Sequence, residues 1–426
     1  MRTKKNDLQE LKLTGLYCCD FEKTFNFILK QNEIKYGKLK GNKYLIRLIK
    51  NWYVFFHVLM KFDPELIRDG NGKHMFVLLP ADLRNDIVQC VTNLELNIPD
   101  AFLIKFHDRN SFVGFKSSIK DFYLCMKWIS ELACHNLSVI SVVTILAYCI
   151  KIIRHQRLFD DIETNCLKSA TFFYDAETTN NYFAQRFKKL SIVTVTLQHG
   201  IMVAPIKELA DNVDFAGIEF TGEICDHFLV WNEFTKKHAV AYGLEEKKIH
   251  IVGPLKCIGM ERVKSDSSSN LFCLILDGLF TDSNNRPMIQ IANQIAKSYD
   301  MRYIVRFHPA YSKTEFDDII DFEYAEKCDQ YKSLVDLAKE CSFFIVANST
   351  ALIELSYCGA LIYRYTSRDI LDKYRLLDYP AFINLEEFAK IREQDEATLK
   401  NDLYSKLCGD CNNLINNYIK FYNTIC

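Results

Sequence analysis

Short apolar runs that lack polar alternation recur through this chain, and nearly every one is followed by a helical pattern. They include TFFY (171–174), IVTVT (192–196), HFLVW (227–231), LFCLIL (271–276), RYIVRF (302–307), SFFIVAN (342–348) and ALIYRY (360–365). A strand with one wet face alternates apolar and polar residues, so runs like these predict strands covered on both faces, as in a parallel sheet between helices. Strand–helix alternation of this kind leads to doubly wound α/β domains. Earlier in the chain, 73–94 reads as a strand running into an amphipathic helix and AFLIKFHD (101–108) as a further strand. A long helical region is expected from about Lys120 to Arg157, residues 1–70 read as irregular to helical, and the segment after Leu385 reads as mostly helical.

The serine-rich segment VKSDSSSN (263–270) is the most linker-like stretch, which places a boundary between Gly253 and Asn270. A length of 426 residues suits two domains better than one core. The expected fold is therefore α/β, with two Rossmann-like domains facing each other across a cleft. The expected limits are 1–255 with a helical N-terminal elaboration, 256–385, and a helical tail over 386–426 that packs back towards the first domain.

Lys plus Arg (53) nearly balance Asp plus Glu (54), which argues against bulk attraction to nucleic acid, and none is expected as a partner. Sixteen cysteines are scattered, several inside apolar runs (Cys90, Cys125, Cys149, Cys273, Cys358), where a reduced thiol acts as a small hydrophobe. The start MRTKKNDLQELKL lacks the apolar core of a signal peptide. Together these favour a reducing, cytoplasmic setting. The pair Cys408–Cys411 has redox or metal spacing but no second pair to complete a site, so incidental thiols are the expected reading. The apolar stretch 137–150 is too short to span a bilayer and reads as a buried helix. Arg2, Lys4, Lys5 and the aromatic–basic stretch KNWYVFFHVLMKF (50–62) suggest peripheral contact with an anionic membrane surface.

Ligands of doubly wound sheets bind outside the carboxyl ends of the strands, so the residues just after each strand matter most. RYIVRF ends on His308-Pro309, with Arg306 on the same strand face; both side chains are candidate phosphate ligands, against a strand-end histidine held by backbone. SFFIVAN ends at Asn348-Ser349-Thr350 before a helix. Asn348 or Ser349 suits an N-cap, and the helix start suits a phosphate, with Glu354 one turn further in. Asp277-Gly278 either lets a ligand approach the backbone closely or is a plain turn. Lys256 follows the expected hinge Gly253-Pro254 and is a candidate phosphate contact. In the first domain Asp175 and Glu177 are candidate general bases or simply solvated carboxylates of a polar loop. His199-Gly200, after IVTVTLQ, places a group suited to phosphate binding or to proton transfer near neutral pH. No GxGxxG or Walker sequence is present.

TLQHG, DHFLVWNEFTKKHAVAYGLEEKKIHIVGPLK, RYIVRFHP and FFIVANSTALIELSYCGALIYRY together resemble glycosyltransferases of the GT-B fold that build bacterial surface polysaccharide. Capsule and lipopolysaccharide transferases, sialyl- and Kdo-type enzymes and CDP-glycerol glycerophosphotransferases are the nearest types. The resemblance covers about residues 171–366, and the first 170 residues resemble nothing specific. It implies transfer of a sugar from a nucleotide-activated donor to a growing capsule or lipopolysaccharide glycan. The 256–385 domain would hold the nucleotide sugar and the 1–255 domain the glycan or glycolipid acceptor. His308, Ser349 and Thr350 would hold donor phosphate, and His199 would face the phosphates. No persuasive DxD motif occurs, Asp160-Asp161 and Asp317-Asp318 reading as helical or surface residues, so metal-independent chemistry without a cofactor is expected. A UDP-sugar 2-epimerase, a glycerophosphotransferase and a non-catalytic nucleotide-sugar-binding module are the rivals.

Overall fold

The computed structural model describes residue 24 and residues 42–79, 82–160 except 131–137, 162, 164, 166–200, 202, 224–263, 269–278, 284–308, 311, 312, 314–329, 332–367, 372–408 and 413–425. Expectations for Arg2, Lys4, Lys5, Asp161, most of 264–270, Pro309 and Cys411 lie outside these. The chain divides into two compact units. One holds Met1–Leu229, Ala239–His250 and Tyr418–Cys426, the other Val230–His238 and Ile251–Asn417.

The first unit is built on a seven-stranded sheet in the order β1-β3-β2-β4-β5-β6-β7. Its strands are β1 (Phe62–Arg68), β2 (His74–Leu78), β3 (Ala101–Asn110), β4 (Ser169–Phe172), β5 (Val193–Leu197), β6 (His227–Val230) and β7 (Ile249–Ile251). β2 pairs in parallel with β3 and β4, β4 with β5, and β5 with β6. As the apolar runs require, every residue of β2 and β4 is buried. β1 is the strand that the sequence pattern hid. It pairs antiparallel with β3 at the sheet edge, where Pro64 does not interrupt a central ladder.

Helices α1 (Asn42–Lys61), α2 (Asn85–Glu95), α3 (Phe115–Ser130), α4 (Val139–Asp160), α5 (Thr178–Lys189) and α6 (Glu233–Ala241) follow in chain order. The helical region expected from about Lys120 to Arg157 holds two helices, α3 and α4. α4 is longer than the apolar 137–150 stretch, and by length and composition it meets the requirement for crossing a membrane. Its most apolar window is 72% buried inside the unit, so it forms the core helix that was expected. A buried charged cluster joins it to its neighbours. Buried Arg154 donates through Nε to Asp121 Oδ2 at 2.8 Å, through Nη1 to Val58 O at 3.1 Å and through Nη2 to Leu59 O at 2.7 Å. These bonds satisfy a charge that apolar surroundings would otherwise penalise, and they tie α1, α3 and α4 together.

The second unit carries six parallel strands, β8 (Leu271–Ile275), β9 (Arg302–Arg306), β10 (Ala325–Lys327), β11 (Phe344–Val346), β12 (Ile362–Tyr365) and β13 (Ala381–Phe382). Their order is β10-β9-β8-β11-β12-β13. Counted from β8 this is 3-2-1-4-5-6, the Rossmann order. Helices α7 (Asn285–Tyr299), α8 (Leu334–Glu340), α9 (Ala351–Cys358), α10 (Leu385–Arg392), α11 (Glu396–Leu407) and α12 (Leu414–Thr424) follow in chain order. α9 ends on Gly359 at φ +82°, the left-handed position that glycine takes without penalty. The two Rossmann-like domains therefore exist as the strand pattern predicted.

The helical tail is divided between the units. α10 and α11 belong to the second, with Asn232 Nδ2 donating to Leu407 O at 2.8 Å, while residues 418–426 belong to the first. There Tyr422 is buried, its hydroxyl 2.8 Å from Thr171 Oγ1 and its ring 5.5 Å from that of Phe76.

Candidate functional site

Two clusters of polar residues stand at the strand ends, one in each unit. In each sheet they lie where neighbouring strands lead their chains in opposite directions, the position at which open α/β sheets bind ligands.

In the second unit that switch point lies between β8 and β11. Asp277, fully buried just after β8, bolts the two strand ends together. Its Oδ1 accepts from Asn348 N at 2.8 Å, and its Oδ2 accepts from Asn284 Nδ2 at 2.9 Å and Asn348 Nδ2 at 3.2 Å. Burial pushes its carboxyl above the usual range, and these donors partly offset that. Asn285 holds the same residue from its backbone side, accepting from Asp277 N at 2.8 Å and donating to Asp277 O at 3.1 Å. Asn348 is therefore no helix cap. Its side-chain oxygen accepts from Lys373 N at 2.7 Å while its amide grips Asp277.

The bolt leaves Gly278 and Ser349-Thr350 as the residues that follow it. Gly278 is half-buried, and a Cβ there would lie 3.2 Å from His308 Nε2, so glycine is what lets the exposed imidazole stand over the strand end. Thr350 is the N-cap of α9, though its side chain makes no cap bond, and Ser349 Oγ accepts from Ala351 N at 3.2 Å. Tyr374 fixes the turn by donating to Ser349 O at 3.1 Å. Gly278, His308, Ser349 and Thr350 thus follow β8, β9 and β11 in adjoining places.

Three other expected ligands are differently engaged. Arg306 directs its guanidinium to Lys332 O, Nη1 donating at 2.6 Å, because strand parity alone does not say where a long side chain turns. Lys256, in a short 3-10 turn (Leu255–Cys257), lies 4.0 Å from Glu354, so these two expected ligands form an ion pair with each other.

In the first unit the reversal lies between β2 and β4. Asp82, three residues beyond Leu79, follows β2, and its Oδ2 accepts from Leu79 N at 3.1 Å. Burial, with the nearby Glu177 carboxylate, pushes the Asp82 carboxyl up to about 8, against smaller opposing effects of the Leu79 and Asn180 hydrogen bonds. Sequence reasoning missed Asp82. It stands alone in LPAD, and the one available signal was its place after a strand.

Glu177 is the N-cap of α5, Oε2 accepting from Thr179 N at 2.8 Å and Asn180 N at 3.1 Å. Burial raises its carboxyl too. Asp175 is fully buried, Oδ2 accepting from Ile224 N and Cys225 N, both at 2.8 Å. Neither carboxylate is a solvated loop residue. Asp175 anchors the loop to residues 224–225, whereas Glu177 adjoins Asp82. Around them Asp175 Oδ1, Thr178 Oγ1 and Asn180 Oδ1 are buried without hydrogen-bond partners among the described residues, an uncommon concentration in one turn. Beside this turn, Tyr174 takes φ +111°, a region disfavoured for a bulky residue, and lays its ring 4.0 Å from the His199 imidazole. His199 follows β5, where Gln198 Nε2 donates to Gly200 O at 2.7 Å.

Among the described residues no group of three or more His, Cys, Asp or Glu side chains is arranged to hold a metal ion. Asp318 is bonded by Arg286, Nη1 donating at 2.8 Å, and Asp317 pairs with Lys327. Asp160 pairs with Arg186.

No family model matches the sequence, and no curated protein matches it. Solved structures do resemble the fold. The S. aureus MnaA–UDP structure is 10% identical, with a TM-score of 0.52 over 83% of this chain and 98% of that one. The UDP-GlcNAc 2-epimerase of Neisseria meningitidis bound to UDP-GlcNAc is 10% identical, with a TM-score of 0.51 over the same shares. At this identity the likeness is one of architecture.

Proposed function

We propose that this chain is an enzyme acting on a nucleotide-activated sugar. The carrying observation is that a glycine–histidine contact and a helix start meet beside the β8–β11 switch point, while the buried Asp82 and the half-buried Glu177 occupy the β2–β4 reversal. In this reading the second unit holds the donor diphosphate. Gly278 lets it approach the backbone, His308 donates to it, and Ser349 with Thr350 receives it at the start of α9. The first unit handles protons. Asp82 keeps its proton near neutral pH, as a general acid requires, and once deprotonated it acts as a base. The Glu177 carboxylate beside it adds to what burial does to Asp82. His199, fixed against Tyr174, is a second group able to meet phosphate or carry a proton.

Sugar transfer to a glycan acceptor of the cell surface is the activity we favour, because the strand-end sequences resemble those transferases. The ionised form of Asp82, at the β2–β4 reversal, would then take the proton of the acceptor hydroxyl, and His308 with the α9 start would take up the leaving-group charge. A second reading is 2-epimerisation of a UDP-sugar. It is supported by the two acids, since moving a proton at a sugar carbon needs a base and an acid, and by the UDP and UDP-GlcNAc named for the similar structures.

Incubation with UDP-GlcNAc and other nucleotide sugars, alone and with surface-glycan acceptors, separates the readings. Acceptor-dependent release of nucleotide supports transfer, and an epimer formed without acceptor supports the second reading. If no nucleotide sugar binds or turns over, both are wrong.

A further inference from the structure

The helical elaboration of the first unit carries a surface that nucleotide chemistry does not explain. On α1, Leu45, Ile49, Trp52 and Phe56 are exposed. Their spacing puts all four within an arc of about 60° on the helix. α3 repeats the arrangement with Phe115, Ile119, Phe122 and Met126, also exposed. The two stripes adjoin. Ser118 Oγ on α3 donates to Leu59 O on α1 at 2.9 Å, and the Phe55 and Phe122 rings stand 6.1 Å apart. Trp52 stacks on Phe56 at 5.7 Å and meets the buried Phe55 edge-on at 5.6 Å, so the two exposed stripes are linked through a buried ring. Soluble monomers seldom expose contiguous apolar area on this scale without a use for it.

On the two helices themselves the exposed charge is of one sign. The twenty residues of α1 include no acid. The one acid of α3, Asp121, is fully buried against Arg154 and Arg157. Lys43, Lys50, Lys116 and Lys120 are exposed on these two helices. Beneath them lies α4, mostly buried, so the helices rest on a fixed platform and cannot turn their apolar sides inward.

We propose that the α1–α3 face docks the protein on an anionic lipid bilayer, lying in the interface without spanning it. Apolar and aromatic side chains would enter the headgroup boundary while the lysines meet lipid phosphates, the combination that defines interfacial helices. Charge complementarity selects this occupant. An apolar partner protein would be met by the stripes alone and would leave four lysines with nothing to pair. The inference depends on this face only and holds whichever nucleotide the strand ends bind.

Co-sedimentation of the full chain with phosphatidylcholine vesicles, with and without phosphatidylglycerol, tests it. Binding is expected to the anionic vesicles and to weaken as salt rises. Lys50→Ala with Lys120→Ala should weaken it roughly thirtyfold, at about 1 kcal/mol per lysine. Ile49→Ser with Phe56→Ser should remove it while leaving the melting temperature and nucleotide binding unchanged. Equal binding to both vesicle types, or variants that bind like the parent, overturns the proposal. So does a dimer that the Ile49→Ser, Phe56→Ser variant converts to monomer without any vesicle binding, because a second copy would then own the face.

Discussion

Asp82→Asn should make the protein more stable and less active at once, and the stability gain should depend on pH. Burial next to Glu177 raises the Asp82 carboxyl from 3.8 to about 8. A folded-state value above the unfolded one means that the native protein holds a proton the unfolded chain has lost. The associated stability is complete below pH 4 and disappears as pH rises to about 8. About four units at 1.36 kcal/mol each sets a ceiling near 6 kcal/mol on what the ionised acid costs above pH 8. Asparagine removes that cost but adds a buried N–H donor, worth about 1–3 kcal/mol if it finds no partner. A net gain of about 3 kcal/mol remains at pH 8.5, or roughly 6–12 °C in Tm for a unit of this size. At pH 5 the two effects nearly cancel. Calorimetry of parent and variant across pH 5–9 reads this directly. Turnover should fall about a hundredfold or more, the usual loss on removing a general acid or base. A Tm difference that does not change with pH would refute the reasoning, as would a variant less stable than the parent at pH 8.5.

Other outcomes follow from the same structure. His155 is buried between Phe62 and Phe106 with neither ring nitrogen hydrogen-bonded, and burial pushes its imidazole down to about 3. Its neutral form therefore contributes stability that is present above pH 6.5 and lost as pH falls towards 3, and His155→Phe should flatten acid unfolding over that window, read by circular dichroism. Asp121→Ala strands the buried Arg154 charge and should cost about 3–5 kcal/mol in denaturant unfolding. Gly278→Val should leave unfolding unchanged to within about 1 kcal/mol. Its side chain would drive into His308, so nucleotide binding measured by fluorescence should be lost.

The fold was legible where burial dictates residue type. Strands covered on both faces must be apolar throughout, so β2, β4, β8, β11 and β12 announced themselves, as did the helices between them. β1 did not, because an edge strand carrying Pro64 and partly exposed residues has no such constraint. Site positions were legible for the same reason, since the end of a strand is where an apolar run stops. Side-chain roles were not. Arg306 and His308 share a strand face, yet the first bonds a carbonyl and the second stands over Gly278. Asn348 looked like a cap because caps and bolts use the same amide. Asp82 carried no motif, and its elevated carboxyl arises from burial and from Glu177, ninety-five positions away in sequence and adjacent only because β2 and β4 pair.

Isothermal titration of UDP into the parent protein and into His308→Ala addresses the central claim, that the β8–β11 switch point holds a nucleotide diphosphate. His308 is exposed, so its removal should leave the fold intact. The account predicts saturable binding to the parent, weakened at least tenfold in the variant, which is the loss of about 1.4 kcal/mol expected for one charge-assisted phosphate contact. Equal affinity in the two proteins, or no binding of UDP to either, would contradict it.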